Sequence, residues 1–194
     1  AAEADPSKAP EPNFQLEALV PVVRGEMRCR IHAHRSDDIM TAVKIAEEFH
    51  LDYTIEHCTE GYMIVDALKR HHVRATIGPY LWGPEKQELW NMSMENPGIL
   101  AQNGIDIALT ADDGSRTAYL PATIGLLLRR GLSEKAAFEG VTIQPARTLQ
   151  LEDRIGSLEP GKDADIAIFD GHPFSSLSAC RMTIIDGKIV HNTL

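Results

Sequence analysis

The chain has 194 residues, 43% of them apolar, and a formal net charge of −9. That length holds one domain, or one and a small piece of another, and the apolar content is ordinary for a globular core. The acidic balance without a long basic run argues against nucleic acid or an anionic membrane surface as partner, and neither a membrane span nor a signal peptide is visible.

Residues 1–13 are polar and Pro-rich and read as a loop or linker. Phe14 to Val23, with apolar Phe14, Leu16, Leu19, Val20 and Val23, reads as one helix stopped by Gly25. Arg28 to Ala33 is the first strand. Ser36 is placed to cap the next helix, with Asp37 and Asp38 in its first turn, where the macrodipole favours acids. Ile39, Ala42, Val43, Ala46 and Phe49 recur along it at helical spacing. Tyr53 to Glu56 is a second strand, and Thr59 is placed to cap a helix running through Arg70. Val73 to Ile77 is a third strand, ended by Gly78-Pro79.

Tyr80 to Asn96 reads as a long, partly helical rim loop of the kind that shapes a binding site, with Trp82 and Trp90 either lining a pocket or covering it. Pro97 to Gln102 fits a short helix and Asp106 to Thr110 a fourth strand. Leu120 to Arg130 is helical up to Gly131, Ser133 caps another helix, and Pro145 suits the first turn of a further one. After about residue 150 the pattern turns to β. Ala164 to Phe169 and Thr183 to Ile185 read as strands, and Asp186-Gly187 as a hairpin turn into Lys188 to His191. Four strand–helix units imply an α/β fold with a parallel sheet, the equivalent of half an eightfold barrel over residues 14–150, followed by a small β segment over 151–194.

Chemistry-bearing residues recur at the ends of the apolar runs: Ile31-His32-Ala33-His34-Arg35, Ile55-Glu56-His57, and Thr110-Ala111-Asp112-Asp113. Parallel strands bring their last residues to one rim, where α/β folds keep their active sites. Two imidazoles and a carboxylate there suit zinc or a similar divalent ion. Cys29, Cys58 and Cys180 lack C-x-x-C spacing and suggest reduced thiols in a cytoplasmic compartment. Cys58 beside His57 is not read as a nucleophile pair, because strand neighbours point to opposite faces. Arg35 is read either as a contact for a substrate carboxylate or as a salt-bridge partner of Asp37 or Asp38.

These motifs, together with Gly156-Ser157-Leu158-Glu159-Pro160-Gly161-Lys162-Asp163-Ala164-Asp165 and Val141-Thr142-Ile143-Gln144-Pro145-Ala146, occur in the order seen in amidohydrolases. The chain resembles the imidazolonepropionase-like and dipeptidase-like branch from Phe14 onward. The resemblance implies a (β/α)8 barrel, strands five to eight of it present here, beside a small β-sandwich. It implies hydrolysis of C–N bonds in a small amide, lactam or dipeptide by metal-activated water. His32, His57 and Asp112 match metal positions, one or two ions in the intact enzyme, with Asp112 also shuttling the proton. His34, Arg35 and Tyr62 are expected to contact substrate, His34 because two histidines two apart on an ideal strand are not both easily ligands.

Departures from the family pattern set further expectations. The strand-one H-x-H pair and the strand-four ligand are absent, so weak metal binding and little activity are expected of the chain by itself. Arg35 stands where most deaminases of the superfamily carry glutamate, which favours amide or lactam hydrolysis. The chain is expected to be the carboxy-terminal part of a longer hydrolase, pairing with an N-terminal half-barrel or with a second copy. The alternatives are an inactive fragment that only self-associates, and a phosphoesterase using the same metal chemistry.

Overall fold

The computed structural model describes residues 11, 13–81, 83 and 85–194, so most of the expected 1–13 linker and Trp82 lie outside the described residues. Two four-residue helices come first, α1 (Phe14–Glu17) and α2 (Val20–Val23). The single helix expected here is broken by Pro21. Proline has no N–H to return to Glu17, and its ring clashes with that carbonyl.

Next come β1 (Cys29–Ala33), α3 (Ser36–Glu48), β2 (Tyr53–His57), α4 (Val65–Arg70), β3 (Ala75–Ile77), α5 (Asn96–Gln102) and β4 (Ile107–Leu109). The helices α6 (Gly114–Thr117), α7 (Leu120–Arg129), α8 (Glu134–Val141) and α9 (Ile143–Thr148) follow. Ser133 caps α8 as expected, its Oγ accepting from the Ala136 amide. The other two expected caps do not form. Ser36 lies inside α3, and its amide donates to Glu60 Oε2 at 2.7 Å. Thr59 bonds His34 instead, and a 3₁₀ turn at Gly61–Met63 precedes α4.

β1 to β4 form a parallel sheet in chain order. The register pairs odd residues with odd: Ile31 with Ile55, Ile55 with Ala75, Ala75 with Ile107. Successive side chains alternate faces, so one face is Ile31, Ile55, Ala75, Ile77, Ile107 and Leu109. It packs on Ile39 and Val43 of α3, Leu68 of α4, Leu100 of α5, and Ile124 and Leu127 of α7. Fully burying a side chain of this size contributes about 1.5–3 kcal/mol.

The even face is polar. Glu56 Oε1 accepts from Arg30 Nε at 3.0 Å, Thr54 Oγ1 at 2.9 Å and Thr76 Oγ1 at 3.2 Å, while Oε2 accepts from Arg30 Nη2 at 2.5 Å. At the opposite end of the strands, Asp52 accepts from Arg28, Arg74 and Gln150.

The carboxy-terminal β strands β5 (Ile166–Phe169), β6 (Cys180–Ile185) and β7 (Lys188–Asn192) form an antiparallel sheet in that order. Asp186 and Gly187 both take positive φ, as a two-residue hairpin turn requires.

Glu56 ties β1, β2 and β3 through one carboxylate. Glu56→Gln is therefore expected to lower unfolding stability by about 1–3 kcal/mol in urea titrations at neutral pH. A change within error would mean that the Arg30–Glu56 contact holds nothing.

Candidate metal centre

The C-terminal ends of β1, β2 and β4 open into one cavity of about 310 Å³, lined by His32, His34, His57, Lys86 and Asp112 among others. The three imidazoles are in mutual contact, with ring centroids 4.5–4.6 Å apart. One donor atom from each lies within 4.8 Å of those of the other two.

His32 reaches the cavity by strand alternation, on the same face as Arg30. His57 should not. It pairs with Ala33 and Ile77, whose side chains face the helices. Its φ is 71°, against about −120° in a parallel strand. Turning φ by about 190° carries Cβ around the N–Cα bond to the other side of the sheet, which brings the ring to His32. The next residue, Cys58, also has positive φ and is fully buried in the apolar core. Asp112 has φ 60°, and its amide donates to Thr110 Oγ1. Left-handed backbone at bulky residues is strained, and such strain clusters at functional sites.

Hydrogen bonds set the ring nitrogens. His57 Nδ1 lies 2.6 Å from the Gly78 carbonyl oxygen. A carbonyl only accepts, so the proton is on Nδ1 and the Nε2 lone pair is free. His34 Nδ1 is 2.7 Å from Thr59 Oγ1, and its Nε2 is 3.2 Å from Lys86 Nζ. Burial, then repulsion from His57 and Lys86, pulls the His34 pKa down to about 4, and the same causes lower that of His32. These two rings are neutral at pH 7, the form in which imidazole binds metal. A partly pre-oriented set of three imidazoles fits a divalent transition metal.

Gly78 supports this geometry. Its φ is +128°, and a Cβ there would lie 2.2 Å from the Thr110 carbonyl oxygen. Only glycine allows the exits of β3 and β4 this close, with its own carbonyl turned to His57.

The sequence model of the amidohydrolase family matches residues 16–191. The chain belongs to the amidohydrolase family. It is 35% identical over 103 residues to imidazolonepropionase of Geobacillus thermodenitrificans, covering 48% of this chain and 24% of that one. It is 41% identical over 88 residues to adenine deaminase 2 of Jannaschia sp., covering 43% and 14%. A solved amidohydrolase from Thermotoga maritima MSB8 superposes with a TM-score of 0.89 at 37% identity, over 99% of this chain and 50% of that one. The chain thus spans half the length of that structure and a smaller share of the curated relatives.

The other expected site residues of this amidohydrolase lie apart from the cavity lining. Of the two readings of Arg35, the structure has the salt bridge, Nε and Nη2 each 3.0 Å from Asp37. Tyr62 donates its hydroxyl to the Asn91 carbonyl. Trp90 is two-thirds exposed. Asp113 caps α6, its Oδ1 accepting from the Arg116 amide. The residues that line the cavity but were not singled out in the sequence, Glu85, Lys86, Leu89 and Met92, come from the 80–96 stretch. The reading of that stretch as a rim loop was the signal for them.

Two measurements probe this geometry. Gly78→Ala is expected to weaken metal binding at least about tenfold, because loss of a group that orients a ligand costs that much; unchanged affinity by equilibrium dialysis would detach Gly78 from the site. Burial pushes the Cys58 thiol up to about 12, leaving almost no thiolate at pH 8. Iodoacetamide at pH 8 should therefore modify the partly exposed Cys29 and Cys180 and spare Cys58 until the chain is unfolded.

Proposed function

We propose that this chain carries metal-binding and proton-transfer residues of a hydrolase acting on C–N bonds, with a small amide, lactam or dipeptide as substrate. The observation that carries the reading is a cavity at the strand ends of an amidohydrolase chain, lined by three imidazoles and by the carboxylates of Asp112 and Glu85.

His32, His57 and Asp112 are the proposed metal ligands, and zinc is the proposed ion, since it accepts imidazole and carboxylate donors and leaves a position open for water. When bound, such an ion lowers the pKa of water from about 16 toward 7 and polarises a carbonyl. Asp112 takes the proton of the attacking water on one oxygen and returns it to the departing nitrogen. His57, its Nδ1 hydrogen engaged by Gly78, presents a fixed lone pair to the cavity. Leu89 and Met92 give substrate an apolar wall. Arg35, paired with Asp37, and Tyr62, donating to Asn91, keep further hydrogen-bonding capacity with which to meet a substrate. With arginine at position 35, amide or lactam hydrolysis is preferred to deamination.

The fold proposed with this reading is the second half of a (β/α)8 barrel over residues 14–150, β1 to β4 being its strands five to eight, with 151–194 in a small β-sandwich. Among the described residues β1 and β4 each pair on one side only. Open strand edges invite pairing. Leu16, Leu19, Val23 and Phe49 are exposed around an apolar hollow of about 630 Å³ that also includes Cys29 of β1. An N-terminal half-barrel, or a second copy of the chain, would cover both.

Turnover decides the reading. Zinc-loaded protein assayed on amides, lactams and dipeptides should hydrolyse at least one class, lose that activity to a chelator and regain it with zinc. Asp112→Asn should lower kcat by about 10²–10⁴-fold with little change in KM. Finding no C–N hydrolysis by the fully assembled protein, or an unimpaired Asp112→Asn variant, would overturn it.

A further inference from the structure

We propose that Asn96, at the start of α5, is a positioning residue that aims the His57 ring by holding the Cys58 carbonyl. The proposal rests on the reading of His57 as a working group of the cavity, and is independent of what is hydrolysed.

Asn96 is fully buried, and both ends of its amide are used. Its Nδ2 donates to the Cys58 carbonyl at 3.0 Å, and its Oδ1 accepts from the Tyr62 amide at 2.9 Å. A carbonyl only accepts and a backbone N–H only donates, so these partners also fix which way the side-chain amide is turned. A polar group this deep is kept in place by its bonds.

Those bonds fall on the turn that aims the ring. His57 and Cys58 are consecutive left-handed residues, and the imidazole faces the cavity only while that turn persists. The Cys58 amide donates to the Ala33 carbonyl at 3.0 Å, and the Cys58 carbonyl accepts from Asn96. The peptide units on both sides of Cys58 are thus gripped, one by β1 and one by α5. The same carbonyl also accepts from the Gly61 amide at 2.9 Å. That bond is local and moves with the turn. Asn96 lies 38 residues away and refers the turn to the body of the fold.

Asn96 reaches the ring's other support as well. It hydrogen-bonds the buried Tyr80 hydroxyl. Tyr80 closely follows Gly78, whose carbonyl oxygen lies 2.6 Å from His57 Nδ1. One amide therefore ties the peptide that turns the ring to the segment that carries the ring's acceptor. Slippage between the two would weaken the Nδ1 bond and swing Nε2 within the cavity. Misplacing a reacting group by about 1 Å can cost about 10²-fold in rate.

The test compares wild-type protein with two variants. Asn96→Leu keeps the approximate size and loses both bonds. Asn96→Asp keeps the acceptor for Tyr62 and loses the donor to Cys58. Ile124→Ala, a core truncation in α7, controls for lost stability. NMR of metal-free protein reads the His57 Nδ1–H signal, and kcat and KM are read on the zinc-loaded protein, assembled as for the turnover assay. Both Asn96 variants should shift the His57 signal and lower kcat about 10- to 100-fold with little change in KM. Ile124→Ala should melt at a lower temperature and leave both readouts at their wild-type values. An unmoved His57 signal in folded Asn96→Leu, or an equal change in Ile124→Ala, would overturn the inference. A moved signal with unimpaired kcat would overturn it too, because the aim of the ring would then not matter to the reaction. If neither Asn96 variant folds, hydrogen exchange of the wild type decides. The His57 Nδ1, Cys58 amide and Asn96 side-chain protons should then share one level of protection, as a single opening unit. A His57 proton exchanging well before those of Asn96 would overturn the coupling. A moved signal where even the wild type hydrolyses no C–N bond would sink the proposed activity and leave this inference standing. Full hydrolysis by Asn96→Leu with an unmoved signal would do the reverse.

Discussion

The parallel register of the four strands is the constraint from which the rest follows. Because odd residues pair with odd across every ladder, the apolar side chains of β1 to β4 form one continuous surface and the polar ones another. A slip of one residue would turn Arg30 and Glu56 onto the helices and expose Ile55, Ile77 and Leu109. Burial of those side chains, each contributing about 1.5–3 kcal/mol, therefore fixes the register. The same register sets the strand ends side by side, Ala33 next to His57 and His57 next to Ile77. Residues delivered by different strands meet there without any contact having been selected for itself.

The site is built where the chain departs from that regularity. His57 and Asp112 sit in left-handed backbone, which costs a bulky L-residue about 1–2 kcal/mol. Local bonds offset this cost. The Cys58 amide donates to the Ala33 carbonyl at 3.0 Å, the Cys58 side chain fills the core, and His57 Nδ1 engages Gly78. The turn at residues 57 and 58 thus does two things together. It moves an imidazole to the polar side of the sheet and sends the next side chain into the core. Strand alternation rightly separates His57 from Cys58, while the backbone turn decides which of them reaches the cavity.

Much of the fold was legible because hydrophobic period and turn chemistry are local. The four strands, α3, the Ser133 cap and the Asp186-Gly187 turn all follow from residues within a few positions of one another. Caps were less legible, since Ser36 and Thr59 have competing partners. Glu60 reaches the Ser36 amide from 24 residues away, and Thr59 is drawn to His34. The break at Pro21 was written in the sequence and outweighed by the run of apolar residues around it. His34 shows a different limit. Treating it as a strand partner of His32 assumes that the strand continues, but β1 ends at Ala33. Beyond that point alternation no longer dictates where a side chain goes. Lys86 was legible only as part of the stretch read as a rim loop, because its place in the cavity lining depends on that loop folding back over the rim.

The two ends of the sheet divide the work. Where the strands begin, Asp52 accepts from Arg28, Arg74 and Gln150 and so ties β1 and β3 to the segment after α9. Those are charge-assisted bonds between fixed, mutually satisfied groups, suited to stability. Where the strands finish, the side chains are imidazoles and carboxylates with lone pairs facing a cavity, and their partners hold only one side of each ring. The Arg30–Glu56 cluster lies between these two ends, its carboxylate engaged on both oxygens by Arg30, Thr54 and Thr76. It separates the strained rim from the clamped base. Changes to cavity residues can then alter chemistry while the register beneath them persists, which is the condition under which one scaffold accommodates different substrates by varying its rim.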